Sequence, residues 1–349
     1  MILVRNQRLA PEQPLDALRG PAAKKLRIPE REIKELKLVK RSLDARKKSD
    51  IHYVCAVAAA LHGDEQKAIA HAKSADVSEY AEPVYDIPHV AAPEKRPVIV
   101  GFGPAGMFAA LVLARAGARP IVLERGMDAV SRKKAVDALR AGGELQPESN
   151  VQFGEGGAGT FSDGKLNTGT KDRRMGWMLR EFAAHGAPES VIYDAKPHIG
   201  TDILINVVQN IRREVIALGG EVRFGHRLER LNFASGRLTG AVVHCAENEY
   251  TLPCERLILA IGHSARDTFE NLNAQGVPME PKPFSMGVRI EHLQKNIDLA
   301  QYGRERGDLP AADYSLNVHL PDGTSAYTFC MCSSTTHSTV SLTVSTASP

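Results

Sequence analysis

Three glycines, Gly101, Gly103 and Gly106, stand in the spacing G-x-G-x-x-G directly after the apolar segment PVIV. In such a turn the first glycine allows a tight bend, the second lets the backbone approach a pyrophosphate, and the third lets a helix pack closely on a strand. Free N–H groups at the start of the following helix face the phosphates. Glu124, 18 residues after Gly106, ends the next apolar segment, where its carboxylate can accept hydrogen bonds from both hydroxyls of a ribose. These residues predict a dinucleotide-binding site.

The elements that must position these residues are a strand, a helix and a second strand. PVIVGFG reads as a buried strand, PAGMFAALVLARAGA as an amphipathic helix and PIVLE as the next strand. This order is a βαβ unit, which requires a parallel sheet with a right-handed crossover. The downstream pattern predicts helices at 128–140, 173–185 and 202–218, a glycine-rich loop at 154–169, strands at 221–224 and 257–261, and a hairpin of 227–233 with 237–243.

Residues 1–90 are predicted to form a separate small α+β domain. Within it, residues 30–48 carry apolar side chains among many charges at a loosely helical spacing, residues 51–61 read as a buried strand, and residues 63–73 resemble a short polar helix. An extended linker follows because prolines leave no room for a helix. These prolines are Pro83, Pro88, Pro93 and Pro97. The expected boundary therefore lies near residue 90, and residues 91–349 form the second predicted domain.

The charge of the chain is small overall but unevenly placed. The net charge is +3 over 349 residues, whereas residues 1–50 hold 14 Lys or Arg against 7 Asp or Glu. Clusters of Lys and Arg bind phosphates, so an RNA-binding surface is one interpretation. Glutamates interleave with the lysines, however, and aromatic stacking residues are missing. A solvated helix face is therefore favoured, and a nucleic-acid partner is not expected.

Targeting and cysteine patterns indicate a cytoplasmic protein. No apolar run approaches the roughly 18 to 20 residues needed to cross a bilayer, and charged residues interrupt the N-terminus too early for a signal segment. The five cysteines are scattered and predict no disulfide framework. Cys330 and Cys332 form C-x-C rather than the C-x-x-C of redox pairs, and no Cys/His cluster has zinc spacing. No metal is expected.

Two later segments favour FAD over NAD(P) at the predicted site. The loop VQFGEGGAGTFSDGKL is too long and too rich in glycine for a simple connector, and its small residues suit a close approach to a flat ring. The apolar strand of ILAIGHSARD then opens into a turn of small residues that can return the chain to the dinucleotide. Arg125, next to Glu124, hints at a 2′-phosphate, but the neighbouring carboxylate would repel one. The sequence has no second G-x-G-x-x-G with an acidic partner, so a separate NADPH-binding domain is not expected.

Six ordered motifs between about Glu30 and Cys332 resemble the FAD-dependent dehydrogenases of bacteria, a group of NAD(P)/FAD-dependent oxidoreductases. These motifs are GFGPAGMFAALVLARAGARPIVLERG, VQFGEGGAGTFSDGKLNTG, KPHIGTDIL, LAIGHSARDTFE, GVRIEHLQ and LPAADY, and RSLDARKK in the N-terminal region is similar as well. The resemblance implies an α/β fold in which a Rossmann-like FAD-binding domain follows a small α+β domain. It implies FAD as cofactor, with NAD(P)H as a possible external electron donor, and supplies no substrate.

The resemblance also assigns cofactor contacts by position. For the pyrophosphate and the adenosine ribose it implies Gly101, Gly103, Pro104, Ala105, Gly106, Glu124 and Arg125. For the isoalloxazine side it implies Gly156, Gly157, Ser162, Asp163 and Lys165. For the adenine and the ribityl chain it implies Leu228, Ala260 and Gly262.

The chain departs from the resemblance after Cys332. Similar proteins continue with about 180 further residues that return to the flavin, whereas here a Ser/Thr-rich, uncharged segment without helical period follows. We expect this segment to reflect a truncation or a shifted reading frame. An inactive fragment is therefore an alternative to an active enzyme.

The expected reaction is hydride transfer by the flavin, which performs the chemistry while the protein positions it. Lys165 is a weak catalytic candidate, because a lysine beside a flavin can stabilise negative charge on the reduced ring; a loop lysine paired with Asp163 or with solvent is an equal alternative. His263 and His198 are weaker candidates for proton transfer. More often, a histidine in such a turn forms a backbone hydrogen bond. The catalytic residues and the oligomeric state are left open.

Overall fold

The computed structural model describes residues 1–161, 164–166, 170, 172, 174–282, 286–333 and 337–346. It divides into two compact units. The first unit contains Met1–Glu82, Tyr193–Ala195 and Glu280–Pro349, and the second contains Pro83–Ile192 and Lys196–Met279. The domain boundary predicted near residue 90 stays a prediction.

The N-terminal part of the first unit is an antiparallel sheet with two helices. Its elements are β1 (Ile2–Leu9), α1 (Arg19–Leu26), β2 (Ile33–Asp44), β3 (His52–Leu61), α2 (Glu65–Ala72) and β4 (Val77–Glu79). The strands lie in the order β2-β3-β1-β4. Alternate residues of β1 and β3 are buried against the helices, as in a sheet with one covered face. The predicted strand at 51–61 and helix at 63–73 are confirmed, and Cys55 is buried in this core as expected.

The predicted helix at residues 30–48 is wrong, because this segment forms strand β2. The register of β2 with β3 shifts twice, between Ile33 and Glu35 and again between Leu38 and Lys40. Each shift adds a residue to one strand and breaks the strict alternation of apolar and polar side chains. The remaining apolar spacing therefore imitated a helix. The lysines suit a strand at the edge of a sheet, where charge discourages pairing with another chain.

The second unit contains the βαβ element together with further helices and strands. Its elements are β5 (Val98–Val100), α3 (Pro104–Arg115), β6 (Ile121–Glu124), α4 (Ala129–Arg140), α5 (Arg174–Ala184), α6 (Ser190–Tyr193), α7 (Thr201–Ala217), β7 (Glu221–Phe224), β8 (His226–Ala234), β9 (Arg237–Cys245), β10 (Asn248–Pro253), β11 (Leu257–Leu259) and α8 (Arg266–Ala274). The predicted helices, strands and hairpin downstream of the glycine turn are confirmed within a few residues. Together they form a mixed α/β fold.

The second unit is built in layers around a parallel sheet with the strand order β11-β5-β6-β7. Ile99 and Val122 point to the face that is covered by α3 and α7. Val98, Val100 and Leu123 point to the opposite face, where the antiparallel sheet β10-β9-β8 packs. Because both faces are covered, the short strands read as continuous apolar runs. This arrangement brings the carboxyl ends of three neighbouring strands to one edge.

The C-terminal part of the first unit is a second antiparallel sheet. Its elements are β12 (Met286–Leu293), α9 (Gln294–Tyr302), β13 (Asn317–His319), β14 (Thr324–Ser333) and β15 (His337–Thr346), with the strand order β12-β15-β14-β13. The Ser/Thr-rich segment after Cys332 thus contributes β15, which pairs with β12 and β14. Within the described residues, no helix is long and apolar enough to span a membrane.

Arg41, the first residue of the RSLDARKK motif, has a defined contact within the first unit. Its guanidinium donates to both carboxylate oxygens of Asp194, at 2.7 and 3.0 Å, and lies over the rings of Tyr53 and Tyr193. The hydrogen bonds from Arg41 to Asp194 raise the pKa of the guanidinium further. The backbone carbonyl of Arg41 also accepts from the amide of Ala195. Arg41 therefore attaches segment 193–195 to β2.

We predict that Arg41→Lys loosens segment 193–195, because an ammonium cannot form the bidentate, ring-stacked contact of a guanidinium. Amide hydrogen exchange in peptides covering 190–196 should accelerate about fivefold, which corresponds to about 1 kcal/mol. Arg46→Lys is the matched control, since Arg46 is 90% exposed in its pair with Asp44, and it should leave these peptides unchanged. Equal effects of the two substitutions would contradict the prediction.

Candidate functional site

The glycine turn between β5 and α3 is a close crossing of backbone segments. A Cβ on Gly101, which has a φ of +97°, would lie 2.4 Å from the carbonyl oxygen of Ala260. A Cβ on Gly106 would lie 1.9 Å from the carbonyl oxygen of Gly101. Gly103 is the N-cap of α3 and Pro104 its first residue, a position that tolerates the missing N–H of proline. The N-terminus of α3 is therefore presented next to the end of β5.

Glu124 lies under this turn and is 4% exposed. Its Oε2 accepts from the amide of Phe102 at 2.7 Å, and its Oε1 accepts from the amides of Gly126 and Gly154 at 2.8 and 2.9 Å. A carboxylate has about four acceptor positions, so these three bonds leave one for a further donor. Glu124 thus joins the glycine turn, the end of β6 and the glycine-rich loop.

A cleft of about 600 Å³ opens at the carboxyl ends of β5, β6 and β11. This is the edge at which open α/β sheets bind ligands. Ten of the residues predicted to bind the cofactor, together with the weak catalytic candidate His263, line it. They are Gly101, Gly103, Pro104, Ala105, Glu124, Arg125, Gly157, Leu228, Ala260 and Gly262.

The remaining predicted residues lie elsewhere. Gly106 is buried in the first turn of α3, and the amide of Gly156 donates to the carbonyl of Phe102 at 2.8 Å. Lys165 pairs through its backbone with His198, and its Nζ is shielded from solvent without a hydrogen-bond partner among the described residues. Ser162 and Asp163 lie outside the described residues. The roles predicted for all these residues stay predictions.

The glycine-rich loop lies close to the glycine turn where Gly157 of the loop faces Gly103 of the turn. A Cβ on Gly157 would lie 2.9 Å from the Cα of Gly103, so any larger residue at 157 would displace the turn. Gln152 and Phe153, just before Gly154, also line the cleft. The side-chain oxygen of Gln152 accepts a hydrogen bond from the hydroxyl of Ser264, which lines the cleft as well. The loop is thus one wall of the cleft.

A fully buried arginine, Arg132 of α4, determines the path of this loop. Its guanidinium donates to the carbonyls of Asn150, Val151 and Glu155 at 2.7, 2.8 and 2.7 Å, and more weakly to that of Gly154. Burial lowers the pKa of Arg132 to about 10, which still leaves it charged at neutral pH. This role of Arg132 was not predicted from the sequence. The detectable signal was an arginine at a position where the helical pattern requires an apolar residue.

A second buried charge, Glu155, lies beside this arginine. One carboxylate oxygen accepts from the amide of Ala129 at 2.7 Å, at the first turn of α4, and the other lies 3.3 Å from Nε of Arg212. Burial raises the pKa of Glu155, although the Ala129 amide and the charge of Arg212 oppose that rise. Glu155 therefore fixes the loop to α4 and α7 from the inside.

Arg125 lies at the edge of the cleft in a network of ion pairs. Its guanidinium stacks on the ring of Phe153 at 4.1 Å and donates to the carboxylates of Glu148 and Asp267 at 2.7 to 3.1 Å. Arg227 donates to Glu148 as well, at 2.6 Å. Burial opposes ionisation of Glu148, but hydrogen bonds and charge from the two arginines lower its pKa; the hydrogen bond from Arg125 lowers that of Asp267.

The residues of the cleft fit a dinucleotide. Gly103 and Gly157 leave room for close backbone approach, and the N-terminus of α3 favours negative charge. Glu124 keeps one acceptor position in the cleft wall. The volume also lies within the range of about 300 to 1,000 Å³ that is typical of small-molecule sites.

Comparison with known families gives three matches along the chain. A model described as an FAD binding domain matches residues 95–140, and one described as an FAD-dependent protein, C-terminal domain-like, matches residues 283–336. A domain of unknown function matches residues 1–60. An uncharacterized protein of Clostridium beijerinckii is 44% identical over 340 residues, which is 95% of this chain and 62% of that protein. The chain thus spans less than two thirds of this curated relative.

Several solved structures are weakly similar. Glycerol-3-phosphate dehydrogenase from Bacillus halodurans, complexed with FAD, is 11% identical with a TM-score of 0.39, over 74% of this chain and 49% of that one. Anhydrotetracycline hydroxylase from Streptomyces rimosus is 19% identical with a TM-score of 0.34, over 72% and 45%. Both TM-scores are low, and these likenesses indicate nothing about the chemistry of this chain.

We predict that Arg132→Met destabilises the second unit and releases the loop, because it leaves several buried carbonyls without a donor. The free energy of unfolding should fall by at least about 3 kcal/mol. Urea unfolding can be followed by the fluorescence of Trp177, the single tryptophan of the chain, which packs on Phe108 in this unit. Arg140→Met, an exposed position on the same helix, is the control. A similar loss in both variants would refute the assigned role.

We also predict that acid weakens the ion-pair network at the cleft. The pKa values of Glu148 and Asp267 are lowered in the folded chain, so their stabilisation is present above the unfolded pKa of about 4 and is lost as the pH falls through the folded values. The urea midpoint from Trp177 fluorescence should decrease from pH 5 to pH 3. This decrease should be smaller in Glu148→Gln/Asp267→Asn, and an identical decrease in both proteins would count against the network.

Proposed function

We propose that this chain is a member of a family of FAD-dependent proteins, binds FAD in the cleft of its second unit and acts as a flavin-dependent oxidoreductase. The observation that carries the proposal is the position of Glu124 beside the N-terminus of α3 at the bottom of one cleft. An anion-binding helix end and a ribose-binding carboxylate are the two features that a dinucleotide requires.

In this proposal, different residues of the cleft would contact different parts of FAD. Gly103, Pro104 and Ala105 at the start of α3 would face the pyrophosphate, and Glu124 would accept a hydrogen bond from the adenosine ribose. Leu228, a buried residue of the cleft lining, would contact the adenine, while Ala260 and Gly262 would lie along the ribityl chain. These assignments join the lining of the cleft to the positions that the resemblance implies.

When bound, the flavin supplies hydride transfer, and the chain supplies position and electrostatics. Lys165 holds an ammonium group that is shielded from solvent. Beside an isoalloxazine it would stabilise negative charge, more strongly than an exposed lysine would. His263 is exposed at the edge of the cleft, where an imidazole can give or take a proton. An external NAD(P)H donor is part of the proposal, and the substrate is left open.

The alternative of an RNA-binding flavoprotein gains no support from the first unit. Several of its basic side chains are paired with acids of the same unit, which reduces the positive charge offered to a polyanion. These pairs are Arg8–Asp50, Lys25–Asp76, Arg41–Asp194 and Arg46–Asp44.

We predict that Gly103→Asp strongly weakens FAD binding without unfolding the chain. Gly103 has the extended backbone of an N-cap, and a Cβ there would contact the nearest atom at 3.6 Å, so the fold accepts a side chain. Aspartate is moreover a favoured N-cap residue. Its charge would lie where the pyrophosphate binds and should weaken the affinity for FAD at least about 100-fold. Flavin fluorescence during titration of the purified chain measures the affinity.

Gly103→Asn is the matched control, because it has the same shape and capping ability without the charge. It should bind FAD more tightly than Gly103→Asp, and both variants should unfold near the wild-type urea concentration. If Gly103→Asp binds FAD as the wild type does, the assigned pyrophosphate position is wrong. If the wild-type chain is colourless and ignores added FAD, the cleft does not bind the cofactor and the proposal fails.

A further inference from the structure

Arg125 follows the ribose-binding position of β6 directly, and an arginine near that position is what would accommodate a 2′-phosphate. Its donors, however, are already engaged. Nε and both terminal nitrogens donate to Glu148 and Asp267, and the ring of Phe153 covers one face of the guanidinium. Rotating Arg125 toward a ligand would break four hydrogen bonds and the stacking contact together.

Arg227, the other arginine that lines the cleft, is paired with acidic residues as well. Its Nη1 donates to Glu148 at 2.6 Å and its Nε to Glu229 at 2.7 Å. The two guanidinium groups are paired with three carboxylates, those of Glu148, Glu229 and Asp267, so the network carries a surplus of one negative charge. A 2′-phosphate brings about 1.5 to 2 further negative charges at neutral pH, so it would be repelled by this surplus and would compete with the carboxylates for the donors of the arginines.

We infer that the ion-pair network of Arg125, Arg227, Glu148 and Asp267 is a specificity element that restricts this cleft to adenine dinucleotides with a free 2′-hydroxyl. The inference rests on the proposed function and extends it. Specificity of this kind comes from repulsion and occupied donors as well as from favourable contacts. It follows that a donor carrying a 2′-phosphate, such as NADPH, does not compete with FAD for this cleft.

Glu148→Gln/Asp267→Asn tests the inference, because it removes both carboxylates and frees Arg125. The probes are ADP-ribose and its 2′-phosphorylated form, which differ only at the position in question. On the full chain freed of flavin, calorimetry should give the wild type a preference for ADP-ribose of at least about 50-fold. In the double variant that preference should shrink at least about tenfold, through a gain in affinity for the 2′-phosphorylated probe.

The matched control is Asp137→Asn/Glu221→Gln, which also removes two ion-paired carboxylates of the second unit away from the cleft lining. It should keep the wild-type preference. If the preference for ADP-ribose shrank equally in both double variants, the effect would be one of general charge, and the inference would be overturned. So would an unchanged preference in Glu148→Gln/Asp267→Asn, or wild-type protein that binds both probes equally.

The outcomes of this experiment distinguish a failure of the specificity element from a failure of the proposed FAD binding. A wild-type chain that binds FAD but shows no preference between the probes refutes the specificity element alone. A chain that prefers ADP-ribose as described but does not bind FAD keeps the specificity element and refutes the flavin function. A chain that binds neither FAD nor either probe refutes both.

Discussion

The cleft depends on one buried carboxylate that accepts three backbone amides. Glu124 holds Phe102 of the glycine turn, Gly126 after β6 and Gly154 of the glycine-rich loop within hydrogen-bonding distance of a single side chain. These segments come from three places in the chain and have no regular secondary structure to align them. Without a shared acceptor, their buried N–H groups would each cost about 1 to 3 kcal/mol. The carboxylate therefore defines the cleft before any ligand enters it.

Arg132 complements Glu124 on the other side of the loop. Glu124 satisfies amides, whereas Arg132 satisfies the carbonyls of Asn150, Val151 and Glu155. An irregular buried loop must find partners for both kinds of group, since it has no ladder of its own. The charge of Glu124 also favours the ionised form of Arg132, because it raises the pKa of the guanidinium that burial lowers. The glycine-rich loop is thus held by charge rather than by apolar packing.

Most of the second unit could be predicted because its signals are local. Short apolar runs mark β5, β6 and β11, and the spacing of glycines marks the turn. The failure at residues 30–48 has a physical cause, since two register shifts in β2 removed the alternation that identifies a strand. The partners of Arg132 and Arg125 could not be predicted, because they come from residues up to 142 positions away. Charge pairing between distant residues leaves no periodic pattern in a sequence.

Under the proposed function, the two ends of the cleft have different electrostatic requirements. At the glycine turn a pyrophosphate must be attracted, and the N-terminus of α3 would attract it with backbone amides. At the ribose end, a strong positive charge would also attract phosphate and would blur the position of the dinucleotide. The arginines there are paired with Glu148 and Asp267, which reduces the positive charge at this end of the cleft. Under the proposed function, a dinucleotide would therefore place its phosphates at the glycine turn, and the orientation of the bound molecule would follow from that asymmetry.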